Sequence, residues 1–198
     1  MLLAARCASC GRSGASPCRA CHAELRPPAP EPAPPGLAGL VTLLRYEGPA
    51  RPLVARLKYR NHRQGLGWLA AGLARRVTEA GVTVDLVTWA PTTARHRRER
   101  GFDHAELLAR AVARELGVGC RPLLHRRPGP PQTGRPAAAR RTVGPRFALR
   151  EGLAAGTRVL VVDDVVTTGA TLRAAVAAVA RGGGRPTPAA VARTPAPH

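Results

Sequence analysis

The sequence predicts an α/β fold, a mostly parallel sheet flanked by helices, preceded by a small cysteine-rich unit. Three observations carry that expectation. From about Gly36 onward, short apolar runs rich in Val and Leu alternate with Ala- and Arg-rich segments of helical character, the pattern of βαβ units. Four of the five cysteines fall within residues 1–26. Between these regions, residues 27–35 read PPAPEPAPP, and its prolines lack the backbone donor that a helix interior or sheet ladder needs. The 198 residues therefore divide into a cysteine unit at 1–26, a stiff linker at 27–35, a main domain at 36–193 and a tail at 194–198. A chain of this length can bury roughly 70% of its surface in one core.

In chain order, the first unit holds Cys7-x-x-Cys10 and Cys18-x-x-Cys21. Each CxxC turn presents two thiolates from one side, so two turns complete the tetrahedral shell of a Zn²⁺ ion. The unit is expected to be a zinc ribbon, with the metal holding together a segment too small to bury a core of its own. His22, beside Cys21, is an alternative ligand, and a disulfide pair or free thiols are the bland alternative. Cys120, the odd cysteine, reads as a buried apolar residue. Removing zinc should unfold 1–26 and leave the rest folded.

In the main domain, helices are expected over 49–59, 65–79, 103–116 and 170–181, and strands over 84–89, 158–162 and 188–193. In the third helix Ala105, Leu108, Ala109, Val112 and Leu116 recur at spacings of three and four, which places them on one face. Gly182 to Gly184 end the last helix. Residues 126–136, RRPGPPQTGRP, form a long loop in mid-domain, either a lid over a site or an irregular connection.

The most informative stretch is RVLVVDDVVTTGAT at 158–171. Asp163 and Asp164, two of only four aspartates, stand side by side where an apolar run ends, and like charges so close repel unless something binds them. Carboxylates at a strand end suit vicinal ribose hydroxyls, or a divalent cation through water. Thr167, Thr168, Gly169, Ala170 and Thr171 follow at the start of a helix, where backbone N–H groups and the helix dipole hold a phosphate. Ribose ligands followed at once by a phosphate cradle imply a ribose 5-phosphate. A strand, turn and helix of any doubly wound fold would leave the paired acids unexplained.

Charge adds a second theme. Thirty Arg stand against one Lys, Lys58, with no Ile and a single Asn, Asn61. The scarce residues are those with AT-rich codons, so base composition accounts for Arg over Lys. It does not account for only 12 acids and a net charge of +19. Such a charge attracts polyanions, whether nucleic acid, an anionic membrane surface or a phosphate-rich substrate, unless it is compositional drift with solvated arginines. No run approaches the roughly 20 apolar residues of a membrane helix, and residues 1–6 are too short for a signal peptide. The expectation is a cytoplasmic protein with no membrane partner.

The 158–171 stretch resembles the 5-phosphoribosyl 1-diphosphate (PRPP) binding motif of type I phosphoribosyltransferases. The order of the cysteine pairs, Tyr46-Glu-Gly-Pro49, Leu57-Lys-Tyr59, Arg100-Gly-Phe-Asp-His104, Gln132-Thr-Gly134 and a basic segment before Phe147 is similar to the ComF family. Those are late-competence, phosphoribosyltransferase-like proteins linked to DNA uptake, and the resemblance spans nearly the whole chain. Two positions depart from the family: Arg140-Arg-Thr-Val143 replaces Arg-x-Asn-Val, and Trp89-Ala-Pro91 replaces a Val-Pro repeat.

The resemblance implies the type I phosphoribosyltransferase fold with PRPP and Mg²⁺ as ligands. It implies that Asp163 and Asp164 hold ribose hydroxyls and that Thr167, Thr168, Gly169, Ala170 and Thr171 hold the 5-phosphate. Pro91, Thr92 and Thr93 would lie by the diphosphate, with Arg95, Arg98 or Arg100 either assisting or forming a solvated face. Gln132 and Arg135 would cover the bound ligand. Enzymes of hypoxanthine and guanine salvage carry Asp at the first loop position, and the hydroxyl of Thr167 is a poor general base in its place.

Three functions compete at this point: PRPP-dependent transfer to an unknown acceptor, a module binding single-stranded DNA or a DNA-uptake helicase, and nucleobase salvage. Fourteen Arg against four acids over 95–150 favour DNA contact, while 3% aromatic residues argue against base stacking as its basis.

Overall fold

The computed structural model describes residues 6–58, 64–93, 98, 101–127 and 145–195. Its centre is a five-stranded, wholly parallel sheet in the order β1, β7, β6, β2, β3, formed by β1 (Val41–Arg45), β2 (Leu86–Trp89), β3 (Gly119–Cys120), β6 (Arg158–Val166) and β7 (Arg185–Arg193). Helices cover both faces, because each strand alternates its side chains between two apolar layers. Leu160 and Val162 of β6 join one layer with α3 (Leu66–Glu79) and α4 (His104–Leu116). Val159 and Val161 join the other with α5 (Ala170–Arg181). An antiparallel pair, β4 (Leu124–Arg127) and β5 (Arg146–Leu149), adds Leu124 and Phe147 to that second layer.

The expected α/β fold, a parallel sheet flanked by helices, is what the chain adopts. Three of the four expected helices appear within a residue of their expected bounds. The first is shorter: α2 spans Ala50–Ala55 and tightens into a 3-10 turn over Arg56–Lys58. Asp103 caps α4 by accepting the Ala105 N–H at 3.0 Å, and Gly117 closes it in the left-handed region at φ 69°. Gly72, inside α3, is a packing residue: a Cβ there would meet Leu43 Cδ2 at 2.7 Å, so the glycine lets the helix lie close on β1.

Strand lengths differ from expectation. β6 runs through both aspartates to Val166 rather than ending at 162, since Asp163 and Val165 stay in register with Ala190 and Ala192 of β7. β7 begins at Arg185 despite Pro186 and Pro188. β1 reaches it only from Ala189 on, which leaves the proline-bearing half with an open side where a missing donor is tolerated.

The cysteine unit packs on this domain. Its helix α1 (Arg19–Glu24) follows Cys18, Ala8 is buried in the same core as Leu53 and Val54, and the Arg56 guanidinium donates to the Cys7 carbonyl at 3.1 Å. The His22 and Trp68 rings meet edge to face at 5.5 Å. The segment 27–35 lies along the domain surface: Arg193 donates to the Glu31 carbonyl at 3.3 Å, and Arg173 donates to the Pro35 carbonyl at 2.7 Å.

Candidate functional site

Parallel sheets place ligands at the carboxyl ends of their strands, where successive crossovers leave in opposite directions. Here that point lies between β6 and β2. The chain leaves β6 through α5 toward β7 on one face, and leaves β2 through α4 toward β3 on the other. Their ends are adjacent, with Trp89 in register with Val162 and the Ala90 N–H donating to the Val162 carbonyl at 3.2 Å. The loop 90–93 and the segment 163–171 therefore flank one crevice.

The two aspartates at this crevice do not act as one patch. Asp163 faces the α5 side and lines a cleft of about 40 Å³ with Val165, Val166 and residues 167–172. Asp164 faces the other layer, where its Oδ2 lies 3.1 Å from His104 Nε2. Each carboxylate keeps its Oδ1 on the next backbone N–H, at 2.8 Å in both cases. The strand alternation thus relieves the repulsion that adjacency in sequence implied.

The loop 167–171 brings together groups that an anion cradle uses. Gly169 caps α5 at φ 74° and has no side chain to cap with; Thr168 Oγ1 accepts the Ala170 N–H at a long 3.4 Å, and the first turn, residues 170–172, lines the cleft. A Cβ on Gly169 would meet Leu37 Cδ1 at 2.8 Å, so both conformation and space demand glycine. Thr167 and Thr168 are exposed, Ala170 and Thr171 half-buried. The Arg173 guanidinium holds the loop from below, donating to the Thr168 carbonyl at 2.9 Å. One water needs about 10–15 Å³ in this measure, so the cleft takes a few oxygen-sized groups, as a phosphate end presents.

Pro91, Thr92 and Thr93 are half-buried on the opposite wall. The Thr92 N–H donates to Asp103 Oδ2 at 3.0 Å, which pins this loop to the start of α4. Arg98 is exposed. Arg95, Arg100, Gln132 and Arg135 lie outside the described residues. Among described residues two clefts of about 640 and 600 Å³ lie beside β1, and a third of about 350 Å³ lies between β5 and the end of α5; neither Asp163 nor Asp164 lines any of them.

The residues that sequence reasoning passed over are Asp103, His104, Leu37 and Arg173. Asp103 had a signal, an Asp directly before an apolar helical repeat. The others act through contacts 60 or more positions away along the chain for His104 with Asp164, or 138 for Arg173 with Pro35.

The four cysteines converge as expected: the sulfurs of Cys7, Cys10, Cys18 and Cys21 all lie within 4.8 Å of one another. A tetrahedral ion with metal–sulfur bonds of about 2.3 Å has its sulfurs about 3.8 Å apart; the Cys10 and Cys18 sulfurs are 3.7 Å apart. None of these cysteines is in a disulfide. Burial would raise the Cys7 thiol, but the backbone around Cys10, Cys18 and Ser9 outweighs it and brings it down to about 6. Burial and the neighbouring sulfurs push Cys21 up to about 12. Four thiolates this close need a cation to coexist, so the cluster can hold a metal ion. Cys120 is only half-buried, and burial raises its thiol to about 11.

Residues 103–191 match the model of the phosphoribosyl transferase domain. Over that span the chain is similar to phosphoribosyl transferase domains. This segment runs from the cap of α4 through the carboxylates and the phosphate loop into β7. Among solved structures, adenine phosphoribosyltransferase from Thermoanaerobacter pseudethanolicus aligns at 18% identity and TM-score 0.45, over 73% of this chain and 85% of that one. Adenine phosphoribosyltransferase from Leishmania donovani aligns at 17% identity and TM-score 0.44, over 65% and 52%. Glutamine PRPP amidotransferase from B. subtilis, complexed with ADP and GMP, aligns at 23% identity and TM-score 0.40, over 74% and 27%. No curated protein matches the chain in sequence. Among described residues no helix is long and apolar enough to cross a membrane.

Proposed function

We propose that the protein binds PRPP with Mg²⁺ and acts as a cytoplasmic phosphoribosyltransferase-like protein of ComF type, with a role in competence and DNA uptake. One observation carries the PRPP reading: a carboxylate and a helix N-terminus that opens from a threonine-rich, glycine-capped loop share one cleft at the switch point. In this reading Thr167, Thr168, Gly169, Ala170 and Thr171 take the 5-phosphate, and Asp163 and Asp164 take the ribose hydroxyls. Pro91, Thr92 and Thr93 neighbour the diphosphate, with Arg98 and Arg100 as its cationic helpers and Gln132 and Arg135 as the cover. Zinc in the site of Cys7, Cys10, Cys18 and Cys21 ties unit 1–26 to the domain at 36–193.

Transfer breaks the bond from ribose C1 to the diphosphate oxygen, which leaves with the electron pair, and an acceptor nucleophile forms the new bond at C1. Mg²⁺, when bound with the diphosphate, supplies neutralising charge for that leaving group. The chain's own task is orientation and charge stabilisation rather than covalent attack.

A second reading is a module for single-stranded DNA or a DNA-uptake helicase without transferase activity, favoured by the fourteen Arg against four acids over 95–150. Nucleobase salvage is weaker, because Thr167 lacks a carboxyl at the loop's first position.

Calorimetry with PRPP and Mg²⁺, followed by a screen for diphosphate release against nucleobases, amines and DNA, tests the first reading. Asp163→Asn with Asp164→Asn should weaken PRPP binding at least tenfold, the scale of lost charged hydrogen bonds; unchanged affinity would make the site assignment wrong. A salt titration of single-stranded DNA binding tests the second: a shallow slope of log K against log salt means few phosphate contacts and rules it out.

A further inference from the structure

The two walls of the crevice come from different strands, and the last ladder bond described between them is the Ala90 N–H to the Val162 carbonyl at 3.2 Å. Beyond it they take separate paths, so their spacing needs another support. Asp103 and His104, the first residues of α4, reach one wall each. Asp103 Oδ2 accepts the Thr92 N–H at 3.0 Å while its Oδ1 caps the helix through the Ala105 N–H, also at 3.0 Å. His104 places Nε2 at 3.1 Å from Asp164 Oδ2, with side-chain exposures of 9% and 11%. A carboxylate buried to that degree is stable as an anion only beside a donor or cation. Its other oxygen already accepts the Val165 N–H at 2.8 Å, so the His104 ring, at ion-pair distance from the buried Oδ2, is the group that bears on how this second oxygen is turned.

We infer that His104 is the positioning residue for Asp164, and that Asp103 and His104 together form a brace setting the distance between the diphosphate wall and the strand end that carries Asp163 and Asp164. The inference rests on the PRPP reading above and deepens it. A ligand that bridges both walls gains from their fixed separation, whereas a fragment that touches one wall depends on only one arm of the brace. Misplacement of about 1 Å in such a site costs on the order of a hundredfold.

The test is calorimetry on the full chain with three probes: PRPP with Mg²⁺, ribose 5-phosphate, and inorganic diphosphate with Mg²⁺. His104→Leu keeps the bulk and removes the donor; it should weaken PRPP and ribose 5-phosphate about tenfold or more and leave diphosphate within about twofold. His104→Gln, which restores a side-chain N–H, should return both to within about threefold of the parent. Asp103→Asn keeps a capping oxygen but offers no second acceptor to Thr92; it should weaken diphosphate and PRPP and spare ribose 5-phosphate. Thermal melts accompany each variant. Should His104→Leu fail to fold, His104→Asn, whose amide is too short to reach Asp164, takes its place against His104→Gln.

Equal weakening of all three probes by the donor-free variant, no rescue by Gln, or parental binding throughout overturns the brace. A parent that binds none of the probes overturns the PRPP reading and the inference with it. A parent that binds them while its variants do not differ overturns the inference alone.

Discussion

Leu37 is the sharpest test of how the phosphate loop is supported. Its side chain is fully buried, with 0% exposure, in the layer shared with Val166 and Leu172, and it lies directly against Gly169. Leu37→Ala removes this floor. Deleting a buried leucine side chain costs about 2–5 kcal/mol, and a chain of this size loses about 2–4 °C per kcal/mol. With a cost of about 3 kcal/mol, melting should fall by about 6–12 °C. Gly169 would lose the contact that holds it in its left-handed conformation, so affinity for ribose 5-phosphate should fall about tenfold, as expected for one or two displaced charged hydrogen bonds. Leu53→Ala is the control, since Leu53 is equally buried but belongs to the opposite layer, with Ala8 and Val54. It should lower melting comparably and leave the affinity alone. Differential scanning fluorimetry and calorimetry read both quantities. Equal affinities in the two variants, or a melting temperature unmoved by Leu37→Ala, would refute the reasoning.

Two further predictions concern regions away from the loop. Asp85 accepts the Arg158 N–H and Nε at 2.9 Å each, as well as Nη2, and this pairing brings its carboxyl from 3.8 down to about 2. A carboxyl depressed on folding contributes stability above its unfolded pKa that drains away as pH falls through the folded one. Asp85→Asn should therefore flatten the stability curve between about pH 4 and pH 2, where the parent still declines; equal slopes in acid titrations of the two proteins would contradict this. With a metal held by Cys7, Cys10, Cys18 and Cys21, its chelation should melt the cysteine unit and lower the melting temperature of the remainder while leaving it folded, because Ala8 and the half-buried Leu25 leave the shared core. The lost burial is about 1–2 kcal/mol, or about 2–8 °C, and an unchanged melting temperature would show that the unit contributes nothing to the domain.

Much of the site was legible because its residues are contiguous. The run from Arg158 to Thr171 places a strand, two acids and a helix-capping loop within 14 positions, so local rules of hydropathy and helix termini suffice to read it. The cysteine pairs are legible for the same reason: ligand chemistry constrains spacing within each CxxC turn. β1 and the β4 and β5 pair were not, since five- and four-residue strands carry too few alternations to separate from loop or buried helix. The exit of β6 was not legible either. A ladder with β7 holds Asp163 to Val166 extended, and no local propensity reports that partner.

The sequence by itself determined the α/β class, the convergence of four cysteines, and a carboxylate pair followed by a threonine-glycine turn into a helix, all of which follow from residue type at short spacing. Only the tertiary structure decided that Asp163 and Asp164 look into different layers, that His104 meets one of them, that Leu37 supports the loop from far upstream, and that Arg173 ties the loop to the Pro35 carbonyl. These depend on the alternation of one strand between two packed faces and on contacts between distant residues, which no window of sequence contains.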